Sequence, residues 1–291
     1  MARPSRVKEC PLSVLQAIVL GITQGLTEFA PVSSSGHLIL VPWLFHWKIL
    51  NDANLNKTFD VALHMGTFIG ALVYFWRDVV KYFVAWIRSI RARKVSTVDE
   101  RLAWAIVIGT IPGAIAGAAL EEVIQQKLGQ PWLIAVMLAV FGVVLYVVDK
   151  RAASNRNIED LSVKGGLALG LAQAVALQPG VSRSGITITA GRLYGLDRES
   201  AARFSFLLAL PIIAGAGIFK SFDLLSTGIN GYAAPFFWGI VSSAISGFAV
   251  IWFLLSYLRR RTFAAFLVYR LAVAALVFGV IIAGVRPAGG V

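Results

Sequence analysis

The sequence predicts an all-α polytopic membrane protein, built as an inverted repeat of two halves, each a re-entrant helical hairpin followed by three transmembrane helices. Three observations predict it. Of 291 residues, 57% are hydrophobic and only 14% charged, and the mean hydropathy of +0.74 lies outside the range of soluble domains. Six apolar runs approach or exceed the roughly 20 residues that a helix needs to cross the hydrocarbon. Two polar stretches, each broken by Pro or Gly, match one another at a fixed separation along the chain.

The elements follow in order, as one membrane domain over 1–291 with repeat 1 at about 11–149 and repeat 2 at about 165–285. Runs 12–29 and 38–47 are apolar but too short to span, and "APVSSSG" separates them. A helix that enters, breaks and returns is a re-entrant hairpin, tolerated only where its loop is buried in protein or lines a wet cavity. Crossings are expected at 61–76, which carries His64, at 102–120 and at 132–148. The second hairpin comprises 167–177 and 186–196 around "QPGVSRSG". Three more crossings follow at 201–219, with Arg203 near its start, at 236–258 and at 263–285, which carries Arg270. Three crossings per copy turn the second copy upside down, as in transporters whose broken helices meet near the bilayer midplane.

The repeat is explicit. "GITQGLTEFAPVSSSG" from Gly21 aligns without a gap on "GLAQAVALQPGVSRSG" from Gly170, an offset of 149 that pairs Gln24 with Gln173, Ser33 with Ser182, Ser35 with Ser184 and Gly36 with Gly185. Phe59 with Phe204 and Gly70 with Gly215 continue the match at an offset of 145.

The 27 Lys and Arg exceed the 15 Asp and Glu to give a net charge of +12. Basic residues gather in a few loops, as the positive-inside rule expects, and no basic patch interleaved with aromatics suggests nucleic acid. The 77–101 loop, with Lys81, Arg88, Arg91, Arg93 and Lys94, reads as cytoplasmic. Counting crossings places Lys150, Lys164 and the Arg259, Arg260, Arg261 triplet on the same side, with Glu121, Glu122 and both termini outside. Arg3, Arg6 and Lys8 ahead of an apolar run imitate a signal peptide, but no small-residue cleavage site follows, so the segment is read as retained. A single cysteine, Cys10, excludes an intrachain disulfide framework and a thiolate metal cluster. No Gly-rich stretch ends in Gly-Lys-Ser or Gly-Lys-Thr, so P-loop chemistry is absent.

If the two hairpin loops meet, they pool Gln24, Glu28, Ser33, Ser34, Ser35 and His37 with Ser182, Arg183, Ser184, Thr187 and Thr189. Gln24 and Glu28, four apart, share a helix face. The Arg183 guanidinium is a planar fork of donors matched to phosphate oxygens, and hydroxyls with Gly-flanked amides opening a helix favour an anion. Single Ser and Thr residues in membrane helices often bond only to backbone. Glu28, His37 and Arg183 carry more weight, because ionisable groups in a low-dielectric interior point to function. His46 and His64 read as packed or interfacial residues, and Arg192, Arg203 and Arg270 as snorkelling or paired cations.

"QGLTEFAPVSSSGH" and "PGVSRSGITITAGRLYGLDRESAARFSFLLALP" resemble the two signature segments of the bacterial undecaprenyl-diphosphate phosphatases, the bacitracin-resistance family. The likeness extends over nearly the whole chain. It implies hydrolysis of a long-chain polyprenyl diphosphate lipid to the monophosphate plus inorganic phosphate, recycling the carrier for cell-wall synthesis. It also implies a site opening toward the outer face of the bacterial inner membrane, and a divalent cation, magnesium or calcium. By position, Gln24 and Glu28 match the acidic motif tied to metal or acid/base work. Ser34 and His37 match catalytic positions, with His37 a nucleophile or base, and Ser182, Arg183 and Thr187 match the phosphate-binding motif. Ser33, Ser35 and Ser184 flank them as further substrate-binding hydroxyls. Many relatives carry a carboxylate where this chain has Gln24, and an amide is the weaker ligand for a hard cation.

Two other readings fit part of the pattern. A polyprenyl-phosphate flippase without hydrolysis would share the broken-helix architecture. A lipid-phosphate phosphatase of another family would share "SSGH" and "SR", but its second histidine should follow the arginine, and Ser184 to Thr189 contains none. Gly109, Gly113 and Gly117, four apart, permit close helix contact, either within the chain or across a homodimer.

Overall fold

The computed structural model describes residues 12–47, 53–227 and 231–289; the basic N-terminal residues and Cys10 lie outside them. Two short helices open the chain, α1 (Val14–Phe29) and α2 (Ser34–Phe45), followed by three long ones, α3 (Ala53–Ala92), α4 (Val98–Lys127) and α5 (Pro131–Arg151). After a 3₁₀ turn at Ile158–Asp160 the order recurs: short α6 (Val163–Val175) and α7 (Arg183–Leu193), then long α8 (Arg198–Thr227), α9 (Ala233–Leu258) and α10 (Ala264–Ile282). The six long helices are each long and apolar enough to cross a membrane. Leu15, Leu193 and Ile282, at 72%, 70% and 83% exposed, are among many large apolar side chains turned outward, as a lipid solvent requires.

One segment differs from the expectation. The basic stretch beginning at 77 is not a loop, because α3 runs unbroken through Ala92 and only the residues from Arg93 to Thr97 connect it to α4. Nothing in 77–92 breaks a helix, since it holds neither Gly nor Pro. The change in polarity falls within the helix rather than at its end.

Short helices pack on long helices of the other half: α1 on α9, and α6 on α4. The aligned glycines Gly21 and Gly170 make both contacts. A Cβ on Gly170 would lie 2.1 Å from the Gly109 carbonyl oxygen, and one on Gly21 would lie 2.5 Å from the Gly239 carbonyl oxygen. Gly109 therefore serves an internal contact between α4 and α6.

Ion pairs tie the basic ends of the long helices together: Lys81 with Asp99 at 2.7 Å, Arg203 with Asp78 at 2.7 Å, and Arg259 with Glu199 at 2.8 Å. Asp149, its side chain fully buried, takes both Arg192 at 3.0 Å and Arg198 at 2.8 Å. Arg192 and Arg203 are thus paired cations, whereas Arg270 is buried inside the bundle and bonds to backbone.

Candidate active site

The two loops do meet. After Phe29 the chain breaks at Ala30, Pro31 and Val32, and α2 starts from Ser33, an N-cap with φ 75°. Ser182, the aligned N-cap of α7, has φ 77°. A non-Gly residue at such an angle costs on the order of 1–3 kcal/mol and persists only where its surroundings fix it. Each serine caps its own helix, with Ser33 Oγ accepting from the Gly36 amide at 3.4 Å and Ser182 Oγ from the Gly185 amide at 3.1 Å. Further bonds cross between the loops: the Gly180 amide donates to Ser33 Oγ at 2.9 Å, and Ser184 Oγ donates to the Ala30 carbonyl at 3.0 Å. Gly180 itself has φ 97°, which a side chain would disfavour. Arg270 Nη2 donates to the carbonyls of Gly180 and Val181 at 2.6 and 2.7 Å. Sequence reading did not single out this clamp, because Arg270 lies some 90 residues from the loop that it holds.

Glu28 is the hub. One carboxylate oxygen pairs with Arg183 Nη2 from the opposite loop. The other accepts from Ser34 Oγ at 2.5 Å and from Gln24 Nε2 at 2.9 Å. His64 Nε2, from α3, stands 3.6 Å from that same oxygen. Glu28, Ser34, His64 and Arg183 line a cavity of about 630 Å³ whose walls from α3, α4, α6 and α8 also include small or apolar residues such as Val61, Ala114, Leu177 and Ile212. Polar groups converging in an otherwise largely apolar pocket suit a ligand with an anionic head and a hydrocarbon tail.

Of the residues expected at the site, Glu28, Ser33, Ser34, Ser35, Ser182 and Arg183 line this cavity. Gln24 backs Glu28 from within the protein. Ser184 is turned onto Ala30, while Thr187 Oγ1 is bonded to the Arg183 carbonyl at 2.8 Å and to Ser205 Oγ at 2.5 Å. Thr189 bonds back to the Gly185 carbonyl at 2.7 Å. These threonines buttress α7.

His37 stands apart from the cavity lining. Its Nδ1 donates to the Ser33 carbonyl at 2.7 Å, which leaves Nε2 to accept from Tyr269 Oη at 2.8 Å, and the two rings stack. The imidazole that does line the cavity is His64, which the sequence suggests is packed or interfacial. Its Nδ1 donates to the Asp60 carbonyl at 2.7 Å, turning Nε2 toward Glu28. Nothing in the apolar run around His64 signals this.

Among the described residues no three His, Cys, Asp or Glu side chains gather as a metal-ligand set. Gln24 Oε1, however, is buried without a hydrogen-bond partner, on a side chain whose Nε2 bonds to Glu28. One carboxylate and one amide oxygen suit a hard cation that takes its other ligands from water and substrate phosphates.

Fold and site together define a multi-pass membrane protein with a buried polar centre built from two loops inside the apolar bundle. The family model described as bacitracin resistance protein BacA matches residues 17–276, and the chain belongs to that family. It is similar to the undecaprenyl-diphosphatase of Pelotomaculum thermopropionicum, 46% identical over 280 residues that cover 96% of this chain and all of the relative. The undecaprenyl-diphosphatase of Moorella thermoacetica is 45% identical over 92% of this chain and 98% of its own length. That of Geotalea daltonii is 45% identical over 91% and 97%.

Proposed function

We propose that this chain hydrolyses undecaprenyl diphosphate to the monophosphate and inorganic phosphate, recycling the lipid carrier for cell-wall synthesis. The observation that carries this reading is the Glu28 carboxylate, bonded to Ser34 Oγ at 2.5 Å on one oxygen and paired with Arg183 on the other. A hydroxyl within reach of a base is an activated nucleophile, and a guanidinium beside it is a phosphoryl clamp.

Ser34 Oγ attacks the terminal phosphorus and gives its proton to Glu28. The bridging P–O bond breaks, and the lipid monophosphate leaves. Water then attacks the Ser34 phosphoester and the Oγ–P bond breaks; Glu28 returns its proton to Oγ, restoring the hydroxyl, and inorganic phosphate leaves with the water's oxygen and protons. Arg183, exchanging Glu28 for phosphoryl oxygens, steadies the charge that spreads over them in the transition state. Ser33 and Ser182 hold the two helix N-termini that face the anion, and His37, tied to the Ser33 carbonyl, positions that turn. Gln24 Oε1 and Glu28 would hold a divalent cation, magnesium or calcium, which supplies further charge neutralisation on the phosphate oxygens.

The site lies in the bacterial inner membrane, with the first hairpin entering from the outer face and the second from the cytoplasm, related as inverted repeats, and the cavity open toward the outer face. Supporting this orientation, the basic residues cluster at the α3–α4, α5–α6, α7–α8 and α9–α10 connections.

The test is inorganic phosphate release from purified, detergent-solubilised protein given a polyprenyl diphosphate. Release that stops with chelator and returns with magnesium or calcium is expected. An absence of release under all these conditions would remove the hydrolase reading and favour lipid movement without chemistry.

A further inference from the structure

The two halves treat one aligned pair of positions differently. Gln24 and Glu28 in the first half correspond, at the offset of 149, to Gln173 and Leu177 in the second. The amide of Gln24 donates to the Glu28 carboxylate at 2.9 Å. Gln173 has no such acceptor, because Leu177 occupies the position of the carboxylate one turn on. Gln173 is only 3% exposed, lines the same cavity as Glu28 and Arg183, and neither its Nε2 nor its Oε1 finds a hydrogen-bond partner in the protein. A buried amide left wholly unpaired is costly and is uncommon in native structures. Gly113 of α4 makes room for it, since a Cβ there would lie 3.0 Å from Gln173 Nε2.

We infer that Gln173 is a substrate-binding residue whose Nε2–H donates to a phosphoryl oxygen of the diphosphate head. The ligand's anionic oxygen takes the place that the Glu28 carboxylate fills for Gln24. The inference rests on the phosphatase reading above and adds a contact from the second half, beside Arg183. Leu177, apolar where its counterpart is a carboxylate, keeps a second negative charge out of the cavity, so the anion meets one carboxylate rather than two. An amide is suited to this task because it donates without adding a charge that would have to be solvated in a largely apolar cavity.

Steady-state phosphate release by the wild-type chain, Gln173→Leu and Gln173→Glu tests this, together with inhibition by inorganic phosphate and thermal unfolding of the ligand-free proteins in detergent. Gln173→Leu is expected to raise KM about tenfold or more, as loss of a hydrogen bond to a charged group does. Gln173→Glu should raise KM further, since a carboxylate repels the phosphate. If the inhibition constant for inorganic phosphate rises in parallel, Gln173 holds the terminal phosphoryl group. If KM alone rises, Gln173 holds the inner phosphate of the lipid head. KM within twofold of wild type in both folded variants would overturn the assignment. A wild-type chain that releases no phosphate would instead overturn the phosphatase reading on which it rests.

Discussion

Glu28 and Arg183, 155 residues apart in the chain, form an ion pair that joins the broken helix of the first half to that of the second. Glu28 is almost fully buried and Arg183 is one-fifth exposed, at the cavity end. Taking two such charges out of water is expensive, and removing one partner strands the other. In the proposed mechanism Arg183, the more exposed member, exchanges Glu28 for phosphoryl oxygens.

Arg183→Lys keeps the charge and loses the planar fork. Turnover in the phosphate-release assay should fall on the order of 100-fold, as for loss of a pre-organised donor to the transition state, with a smaller change in KM. A fall confined to KM would restrict Arg183 to ground-state binding.

Ser34→Ala removes the oxygen proposed to attack phosphorus while leaving Glu28 and Arg183 in place. Turnover should drop by at least about 10³-fold, in the range seen when a nucleophile is deleted. Binding of a polyprenyl diphosphate, followed by thermal shift, should persist.

Asp149→Ala leaves Arg192, 1% exposed, without its carboxylate partner at the end of α5. Breaking a buried pair from one side costs about 3–5 kcal/mol, so the variant should show a markedly lower unfolding midpoint in detergent. Lys81→Ala, which breaks an exposed pair, should leave that midpoint nearly unchanged.

Gly170→Leu drives a side chain into the α4 backbone, where even a Cβ would meet the Gly109 carbonyl oxygen at 2.1 Å. The helices must separate, at a cost of about 1–3 kcal/mol or more. Loss of stability should be accompanied by loss of phosphate release, because α4 and α6 both wall the cavity. Gly279→Leu, where a Cβ meets nothing within 4 Å, should be tolerated.

Much of the architecture was legible because bilayer physics writes it plainly. Apolar runs gave the six long helices, and the breaks at "APVSSSG" and "QPGVSRSG" gave the loops. The contact of Gln24 with Glu28 followed from their four-residue spacing. Side-chain direction was not legible. His37 belongs to the motif, yet its position four residues after Ser33 lets its ring return to the Ser33 carbonyl, and Tyr269, 232 residues away, takes the other nitrogen. His64 reaches Glu28 from an apolar run with no flanking signature. The continuation of α3 through Ala92 was hidden because a rise in charge reads as a loop even where the helix runs on through it.

The most direct test of the account is to identify the residue that carries the phosphoryl group during turnover. Protein mixed with polyprenyl diphosphate labelled at the terminal phosphate, quenched within milliseconds without acid and digested for mass spectrometry, should yield phosphoserine at Ser34. Label on His37, or turnover with no phosphoprotein at any quench time, would contradict it.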